Sequence, residues 1–208
     1  MQDISFSRKL YKRYFVDKYG GTLLECGAYD GNNHSVGKFF EDNYGWRCIN
    51  IEPNPRLYSY LVLNRPNSFL NMNVALSDKE DKIELIVPKN AKGIEMRGHG
   101  SIAYDYMDSH PKNKFSEERS NRYVVSTNTY SNIIKDLGLE LIDLFVLDVE
   151  GHELEVIKGM EGCQIMPRVL SAEINKVDKN DILVALNRIT PYDLDFNDDH
   201  DAFYIRKD

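Results

Sequence analysis

The chain has 208 residues, of which 42% are hydrophobic and 28% charged, and its formal net charge at pH 7 is −7. This length suits one well-buried α/β domain, so we expect a single domain over residues 1–208. The acidic balance disfavours nucleic-acid backbones as partners, and no apolar run approaches the roughly 18 residues that a membrane span requires. The three cysteines form no C-x-x-C pair and the N-terminal segment lacks the apolar core of a secretory signal, so we expect a reducing, cytoplasmic environment.

A first helix is predicted within residues 1–20. Its basic side chains, Arg8, Lys9, Lys12 and Arg13, are interleaved with apolar ones and indicate a solvent-facing side. Beyond this helix, apolar runs alternate with helix-like segments, and no internal repeat interrupts them. This alternation predicts an α/β fold whose sheet is mainly parallel.

The first half of the chain is predicted to contain strands at residues 22–26 and 47–52, a third strand in FLNMNVALSD ending near Ala75, and an added strand in DKIELIVP. Helices are predicted at residues 35–43 and 54–65. In the second of these helices, Asn54 is the predicted N-cap, Pro55 suits the first turn, and Pro66 ends the segment.

The pattern is lost between Lys89 and Arg122. This stretch carries Gly93, Gly98, Gly100 and many polar residues, so we interpret it as a long surface excursion. Long loops in compact domains often cover binding sites. The segment is therefore predicted to be an excursion or lid.

Order returns in the second half, where strands and helices alternate again. The predicted elements are a strand at 123–127, a helix at 131–137, a strand in IDLFVLD with a helix after it, a strand in RVLSAEI, a helix at 182–186 and a strand in AFYIRK. Gly138 follows the first of these helices in a position suited to a C-terminal cap. Together with the first half, these elements supply the strands and crossovers of a doubly wound domain.

The segment TLLECGAYDGN, residues 22–32, predicts a buried strand that turns at Gly27 and Gly31. At both positions the absence of a Cβ lets the backbone approach a ligand. The flanking Glu25 and Asp30 are acidic and would repel a phosphate, and the spacing matches neither G-x-G-x-x-G nor a P-loop. A cationic adenosine ligand such as S-adenosylmethionine therefore fits better than a dinucleotide or a nucleoside triphosphate.

Acidic residues recur where predicted strands end, which is where open α/β sheets bind ligands. Glu52 ends the second strand at the place of a ribose-binding carboxylate, and Asp148 and Glu150 end IDLFVLD. Each has a structural alternative. Glu52 is also a favourable charge at the start of the helix at Asn54, and Asp148 also suits a helix cap.

His152 and Glu173 each allow two interpretations. His152 is either functional or a surface residue in a first helical turn, and Glu173 either enters the same cleft or pairs with Arg168 or Lys176. The cysteines are interpreted as packing residues. Three histidines are interpreted as surface residues: His34, His110 and His200.

Five segments carry a more specific signal: LLECGAYDGNNHS, INIEPNPRLYSYL, NVALSD, GSI and LDVEGHELEVIKG. In this order, across nearly all of residues 22–175, they resemble the FkbM family of S-adenosylmethionine-dependent methyltransferases. The resemblance implies a class I methyltransferase (Rossmann-like) fold, doubly wound, with a mainly parallel seven-stranded sheet, helices on both faces and an antiparallel last strand. It also implies methyl transfer to a hydroxyl of a sugar, a glycan or a related polyol.

The resemblance further implies roles for individual residues. Those implied to bind the cofactor are Glu25, Gly27, Tyr29, Asp30 and Gly31 at the methionine part, Glu52, Pro53 and Asn54 at the ribose, Asn73, Ala75 and Leu76 at the adenine, and Ser101 in the segment His99–Ser101 near the cofactor. The segment LDVEGHE, which contains Asp148, Glu150, His152 and Glu153, is implied to face the transferred methyl group and the acceptor. The excursion at residues 89–122 departs from the family pattern.

The expected reaction is in-line attack by an acceptor oxygen on the sulfonium methyl group, for which positioning supplies on the order of 7–11 kcal/mol. The catalytic candidates are Asp148 or His152 as general base and Glu173 beside them. A divalent cation held by Asp148, Glu150 or Glu173 is an alternative way to acidify the hydroxyl.

Two other functions use the same fold, namely a noncatalytic glycan-binding or assembly module and a nicotinamide-dependent oxidoreductase. The missing third glycine argues against the oxidoreductase. The expected partner is a small-molecule or glycan acceptor, and the sequence leaves the oligomeric state open.

Overall fold

The protein is built around two β-sheets, as seen in a computed structural model that describes residues 4–96, 100–102 and 119–207. In chain order, the helices are α1 (Ile4–Tyr14), α2 (Val36–Tyr44), α3 (Pro55–Asn64), α4 (Tyr130–Asp136), α5 (Glu153–Lys158) and α6 (Lys179–Asn187). The strands are β1 (Thr22–Cys26), β2 (Arg47–Ile51), β3 (Leu70–Met72), β4 (Ala75–Leu76), β5 (Lys82–Pro88), β6 (Ser101–Ile102), β7 (Ser120–Asn128), β8 (Leu144–Leu147), β9 (Val169–Glu173), β10 (Tyr192–Asn197) and β11 (Asp201–Arg206).

The seven-stranded sheet has the strand order β3-β2-β1-β8-β9-β11-β10. Neighbours from β3 to β9 are parallel, whereas β11 lies antiparallel to both β9 and β10. Because the direction of winding reverses between β1 and β8, a crevice opens at their carboxyl ends, where open α/β sheets bind ligands. The predicted doubly wound, mainly parallel fold with an antiparallel last strand is confirmed.

Helices cover both faces of this sheet, because successive residues of a strand point to opposite sides. In β1, Leu24 and Cys26 join a core that includes side chains of α4, α5 and α6. Leu23 joins a second core that contains Tyr11 of α1 and Phe40 of α2. Parallel strands covered on both faces need nearly continuous apolar sequences, and LFVL of β8 is one.

The second sheet has the order β4-β7-β5-β6 and encloses a small core of its own, in which Ala75 contacts the group that contains Leu85. The single strand predicted in FLNMNVALSD is wrong, because β3 pairs with β2 whereas β4 pairs with β7 of the second sheet. Between β3 and β4, the side-chain amide of Asn73 donates to the carbonyl oxygen of Glu52 at 2.7 Å. This bond fixes the point at which the chain changes sheets.

Strand β10 was not predicted from the sequence. Tyr192, Leu194 and Phe196 alternate there with polar residues, which is the pattern of a half-buried strand. The strand pairs antiparallel with β11, and its register shifts between Leu194 and Phe196. The alternation was therefore present in the sequence and was overlooked.

Part of the interval between Lys89 and Arg122 is ordered, contrary to the interpretation as one surface excursion. Lys89 forms an isolated antiparallel bridge with Glu95. Strand β6 pairs with β5, and β7 begins at Ser120. The remaining parts, residues 97–99 and 103–118, lie outside the described residues.

The predicted helix signals are confirmed. The side chain of Asn54 accepts a hydrogen bond from the backbone N–H of Arg56 at 3.0 Å, Pro55 opens α3, and the helix ends before Pro66. Gly138, after α4, has the positive φ of 58° that suits a C-terminal cap. None of the helices in the described residues combines the length and apolar character needed to cross a membrane.

Candidate active site

A cavity of about 590 Å³ opens at the carboxyl ends of β1, β2 and β8. Its wall includes Gly27 after β1, Glu52 after β2 and Asp148 after β8. Leu85 and Ile102 of the second sheet complete another part of the wall. The volume lies in the range of pockets that bind cofactor-sized ligands.

Gly27 sits where β1 and β8 end side by side. Its φ is 90°, and its amide donates to the carbonyl oxygen of Ile51 at 3.0 Å. A Cβ at this position would lie 2.1 Å from the backbone oxygen of Asp148. The turn therefore requires glycine both for its conformation and for space, and the backbone itself forms the cavity wall.

The carboxylate of Glu52 is held in the wall by two backbone groups. Its Oε2 accepts from the N–H of Tyr29 at 3.0 Å, and its Oε1 accepts from the N–H of Asn54 at 2.8 Å. Glu52 is only 5% exposed, and this burial raises its pKa to about 8. Since each carboxylate oxygen has two lone pairs, one further donor can bind each oxygen. A ligand with two neighbouring hydroxyls matches that capacity.

Asp148 is solvent-exposed and lines the cavity. Desolvation by the surrounding protein atoms, followed by the negative charges of Glu173, Glu150 and Glu153, raises the pKa of Asp148 well above its ordinary range. Glu173 lies behind the cavity wall at the end of β9, where burial and then the charge of Glu150 raise its pKa too. A carboxyl tuned in this way is a stronger base when ionised.

The turn after Asp148 is tied down at several points. Glu150 has a φ of 59°, and Lys176 donates from Nζ to its backbone oxygen at 3.0 Å and to its Oε2 at 2.6 Å. The Oε1 of Glu153 accepts from the N–H of Gly151 at 3.3 Å. These contacts hold the wall segment LDVEG in one conformation.

His152 connects this turn with the second sheet. It is 1% exposed, its Nε2 is 3.0 Å from Oγ of Ser77, and its Nδ1 is 3.6 Å from a carboxylate oxygen of Glu155. The residue contributes to the cavity wall, yet both ring nitrogens face other side chains. This arrangement favours a positioning role for His152 over that of general base.

Glu25 lies outside the cavity wall, although the resemblance implied a place beside the cofactor. Its carboxylate accepts from Oγ of Ser35 at 2.7 Å and from the backbone N–H groups of Val36 and Gly37 at 2.5 and 3.2 Å. Burial raises the pKa of Glu25, and the guanidinium of Arg65 opposes that rise. The carboxylate therefore fastens the loop after β1 to the first turn of α2.

Arg65, which the sequence analysis did not single out, supports the same loop from below. It is 2% exposed, its Nη1 donates to Oγ of Ser35 at 2.9 Å, and its Nε donates to Glu41 at 2.5 Å. A Cβ on Gly31 would lie 2.8 Å from Cγ of Arg65 and 2.5 Å from Cδ1 of Leu61. Gly31 is thus needed for packing beneath the loop and does not line the cavity.

Asp30 and Asn73 also lie outside the wall. Oδ1 of Asp30 accepts from the backbone N–H groups of Asn32 and Asn33 at 2.9 and 2.7 Å, which fixes the loop that follows β1. Asn73 binds the backbone oxygen of Glu52, as described above. Any contribution of Asp30 and Asn73 to ligand binding is therefore indirect.

The residues implied at the ribose and adenine fall mostly within the wall. Pro53, Asn54, Ala75 and Leu76 line the cavity beside Glu52. The backbone of Ser101 belongs to β6, which pairs with β5. His99 and His110 lie outside the described residues.

His34 lines the cavity, although the sequence interpretation made it a surface residue. It is solvent-exposed, and its ring meets that of Tyr29 edge-on with centroids 5.7 Å apart. The signal that would have found it is its place in the loop between β1 and α2, one residue before the N-cap Ser35. Glu95 and Asn90 also line the cavity, within the interval that was interpreted as lacking a pattern.

The described residues assign no metal site. Among them, no group of three or more His, Cys, Asp or Glu side chains is arranged to hold a metal ion. Among the candidate ligands, Glu173 and Glu150 raise the pKa of Asp148, Glu150 raises that of Glu173, and Lys176 binds the carboxylate of Glu150.

The strand order and the crevice between β1 and β8 define the fold of class I methyltransferases. The solved structure of methyltransferase FkbM from Methylobacillus flagellatus KT shares this fold with a TM-score of 0.57 and 14% sequence identity, covering 96% of this chain and 47% of that chain. A family model described as the methyltransferase FkbM domain matches residues 25–198. The chain therefore belongs to the FkbM methyltransferase family, and the resemblance found in the sequence is confirmed.

A curated relative is similar over a large part of the chain. The 2-O-methyltransferase NoeI of Sinorhizobium fredii (strain NBRC 101917 / NGR234) is 30% identical over 155 residues, which cover 69% of this chain and 59% of that protein. The chain thus spans less than two thirds of the length of the curated relative it matches.

The buried carboxyls predict that the ligand-free protein is less stable at about pH 8.5 than at about pH 6. Burial raises the pKa of Glu52 to about 8 and that of Glu153 to about 7, from an ordinary value of 4.5. The contribution of these two carboxyls to the free energy of unfolding is fully present below that ordinary value. It is lost as pH rises through the folded-state pKa, at up to ~1.4 kcal/mol per pH unit for each group. We expect a Tm lower by about 5 °C or more at the higher pH, measured by scanning calorimetry.

Two variants test this assignment. Glu52→Gln removes one titrating group and should flatten the dependence of Tm on pH. Glu140→Gln changes an exposed glutamate and should preserve it. Equal Tm values at both pH values in the wild type, or the same slope in Glu52→Gln, would contradict the role of buried carboxyls.

Proposed function

We propose that the protein is an S-adenosylmethionine-dependent O-methyltransferase that acts on a hydroxyl of a sugar, a glycan or a related polyol. The observation that carries the proposal is that Glu52 and Asp148 open into one cavity at the point where the winding of the sheet reverses. Family membership supports the donor, and the name of the relative, a 2-O-methyltransferase, supports a hydroxyl acceptor.

The chemistry of the cavity wall suits each part of the donor. The two oxygens of Glu52 have capacity for the two ribose hydroxyls, and the backbone at Gly27 leaves room for a close approach. Ala75 and Leu76 offer an apolar wall for the adenine, which Leu85 of the second sheet extends. Some residues for which the resemblance implied cofactor contacts lie outside the wall. They stabilise the segments that form it: Glu25, Asp30, Gly31 and Asn73.

The bound donor supplies a methyl group whose carbon is electrophilic, because it is bonded to a sulfonium. An acceptor oxygen attacks that carbon in line, so the oxygen–carbon bond forms, the carbon–sulfur bond breaks and its electron pair stays on sulfur. Asp148, open to the cavity and ionised, accepts the hydroxyl proton as general base. The cavity walls hold the reacting groups in line, and this positioning supplies a large part of the acceleration.

The proposal is tested by two measurements in sequence. Calorimetric titration with S-adenosylmethionine tests the donor, and mass spectrometry of a glycan and polyol panel incubated with protein and donor tests transfer. Absence of donor binding would end the proposal. Binding without a methylated product across the panel would favour the noncatalytic glycan-binding alternative, and fluorescence titration with NADH tests the oxidoreductase.

The ribose role of Glu52 predicts that binding of 5′-methylthioadenosine strengthens with pH. This ligand has the adenosine part of the donor and no group that titrates near neutral pH. Because the pKa of Glu52 is raised to about 8, its carboxylate must lose a proton to accept two ribose hydroxyls. We expect affinity to rise by roughly 20-fold between about pH 6.5 and pH 8.5 and then to level off.

Calorimetry in buffers of different ionisation enthalpy measures the accompanying proton release. In Glu52→Gln, binding should be weaker at the higher pH and should show no pH dependence. A pH dependence that survives in Glu52→Gln would assign the titrating group elsewhere and remove Glu52 from the ribose.

A further inference from the structure

The described part of the cavity wall is rich in carboxylates. It contains Glu52, Glu95, Asp148 and Glu150, and none of its described residues is Lys or Arg. The donor of the proposed reaction carries two cations, a sulfonium and an ammonium, and one carboxylate. Acidic walls suit the cations, whereas the ligand carboxylate needs a hydrogen-bond donor of its own, since burying an unpaired charge is costly.

His34 supplies such a donor. Its imidazole faces the cavity, and within the described part of the chain it makes the edge-on contact with Tyr29 but no hydrogen bond. The other imidazole of the wall, His152, is 1% exposed and is engaged by Ser77. An imidazole donates one N–H in either neutral tautomer and two when protonated, so His34 can bind a carboxylate oxygen.

The backbone presents His34 to the cavity in an uncommon conformation. Tyr29, His34 and Glu150 have positive φ values of 54°, 58° and 59°, and all three line this cavity. Such conformations in residues other than glycine cost of order 1–3 kcal/mol and cluster at ligand sites. Asp30 holds the loop before His34, and Ser35 caps α2 directly after it. The fold therefore fixes the position of His34 from both sides.

Tyr29 connects His34 to the ribose end of the cavity. Its backbone N–H donates to Glu52 at 3.0 Å, and its ring contacts the ring of His34. Tyr29 therefore lies between His34 and a ribose that binds Glu52. An amino-acid tail that extends from the ribose toward the loop after β1 would therefore meet His34.

We propose that His34 binds the carboxylate of the amino-acid tail of the donor and so sets the position of the methyl group. The inference rests on the proposed function, because it requires S-adenosylmethionine as the ligand. It assigns to His34 the anionic part of a zwitterionic ligand.

A cycle of two ligands and two protein variants tests this contact. Calorimetry gives Kd for S-adenosylhomocysteine and for its decarboxylated analogue, which keeps the adenosine, the sulfur and the ammonium. In His34→Ala, we expect S-adenosylhomocysteine to bind about tenfold or more weakly, because a hydrogen bond to a charged group is lost. The analogue should change by less than about twofold, since it lacks the group that His34 binds. His34→Asn, which tolerates positive φ and keeps a shorter donor, should lie between Ala and wild type.

Asn32→Ala is the matched control, because it removes an exposed side chain of the same loop and should leave both Kd values unchanged. Equal weakening of both ligands in His34→Ala and His34→Asn would mean that His34 only supports the loop, and it would overturn the inference. No change for either ligand would overturn it as well. If the wild type binds neither ligand, the donor assignment itself fails, a result distinct from a loss confined to the His34 variants.

Discussion

Asp148→Asn is expected to lower turnover by about 10²–10⁴-fold, the range that general-base catalysis contributes. Asparagine keeps the size and polarity of the side chain at the end of β8 but cannot accept the hydroxyl proton. The affinity for S-adenosylmethionine should change by less than about threefold, because the ribose contacts proposed for Glu52 are untouched. Product formation by mass spectrometry gives kcat, and calorimetry gives the donor Kd.

Glu52→Ala is the complementary variant, expected to weaken donor binding. If Asp148→Asn and Glu52→Ala lose donor binding equally, the division between a catalytic and a binding carboxylate is contradicted. Equal loss would make Asp148 a binding residue, and another group of the cavity would then have to act as the general base.

Glu173→Gln separates the proton-accepting role of Asp148 from a merely structural one. After burial, the charge of Glu173 is the largest cause that raises the pKa of Asp148. Since the base must be ionised, turnover rises with pH through that pKa, and removal of the neighbouring charge moves the rise to lower pH. A profile of kcat against pH that keeps its midpoint in Glu173→Gln would show that another group titrates.

Most of the central sheet was predictable, because its parallel strands are covered on both faces and need continuous apolar runs. The segments TLLEC and LFVL are such runs, and both became central strands. Asn54 with Pro55 marked the start of α3 by local chemistry alone. The split between β3 and β4 was not predictable in this way, because it depends on a tertiary contact, the bond from Asn73 to the carbonyl oxygen of Glu52.

The strand-end positions of the site were predictable for the same topological reason, since parallel strands deliver their last residues to one edge. The face of the sheet on which the Glu25 side chain lies was not predicted. Glu25 lies two residues after Leu23 and therefore on the side of the sheet that faces α2, whereas Cys26 lines the cavity. Arg65, which joins the same network, is 40 positions away from Glu25 and becomes its neighbour only in the folded chain.

Gly27→Ala is expected to lower the affinity for S-adenosylmethionine by about 100-fold or more, since a displacement of about 1 Å in a site has effects of that size. It should also lower the free energy of unfolding by about 2–4 kcal/mol, from overpacking together with the positive φ. The physical reason is the distance of 2.1 Å that the new Cβ would have from the backbone oxygen of Asp148. Calorimetric titration and chemical denaturation measure the two effects.

Gly138→Ala separates conformational strain from this clash. Gly138 also has a positive φ, of 58°, but a Cβ there would meet nothing within 4 Å, so the variant should lose about 1 kcal/mol of stability and no donor affinity. In Gly27→Ala, by contrast, the clash is with backbone and is relieved only if β1 and β8 move apart at the ends that carry Gly27 and Asp148. Stability and donor affinity must then fall together. Wild-type binding in Gly27→Ala would mean that the donor does not depend on this contact, and the proposed place of the donor at the ends of β1 and β8 would be wrong.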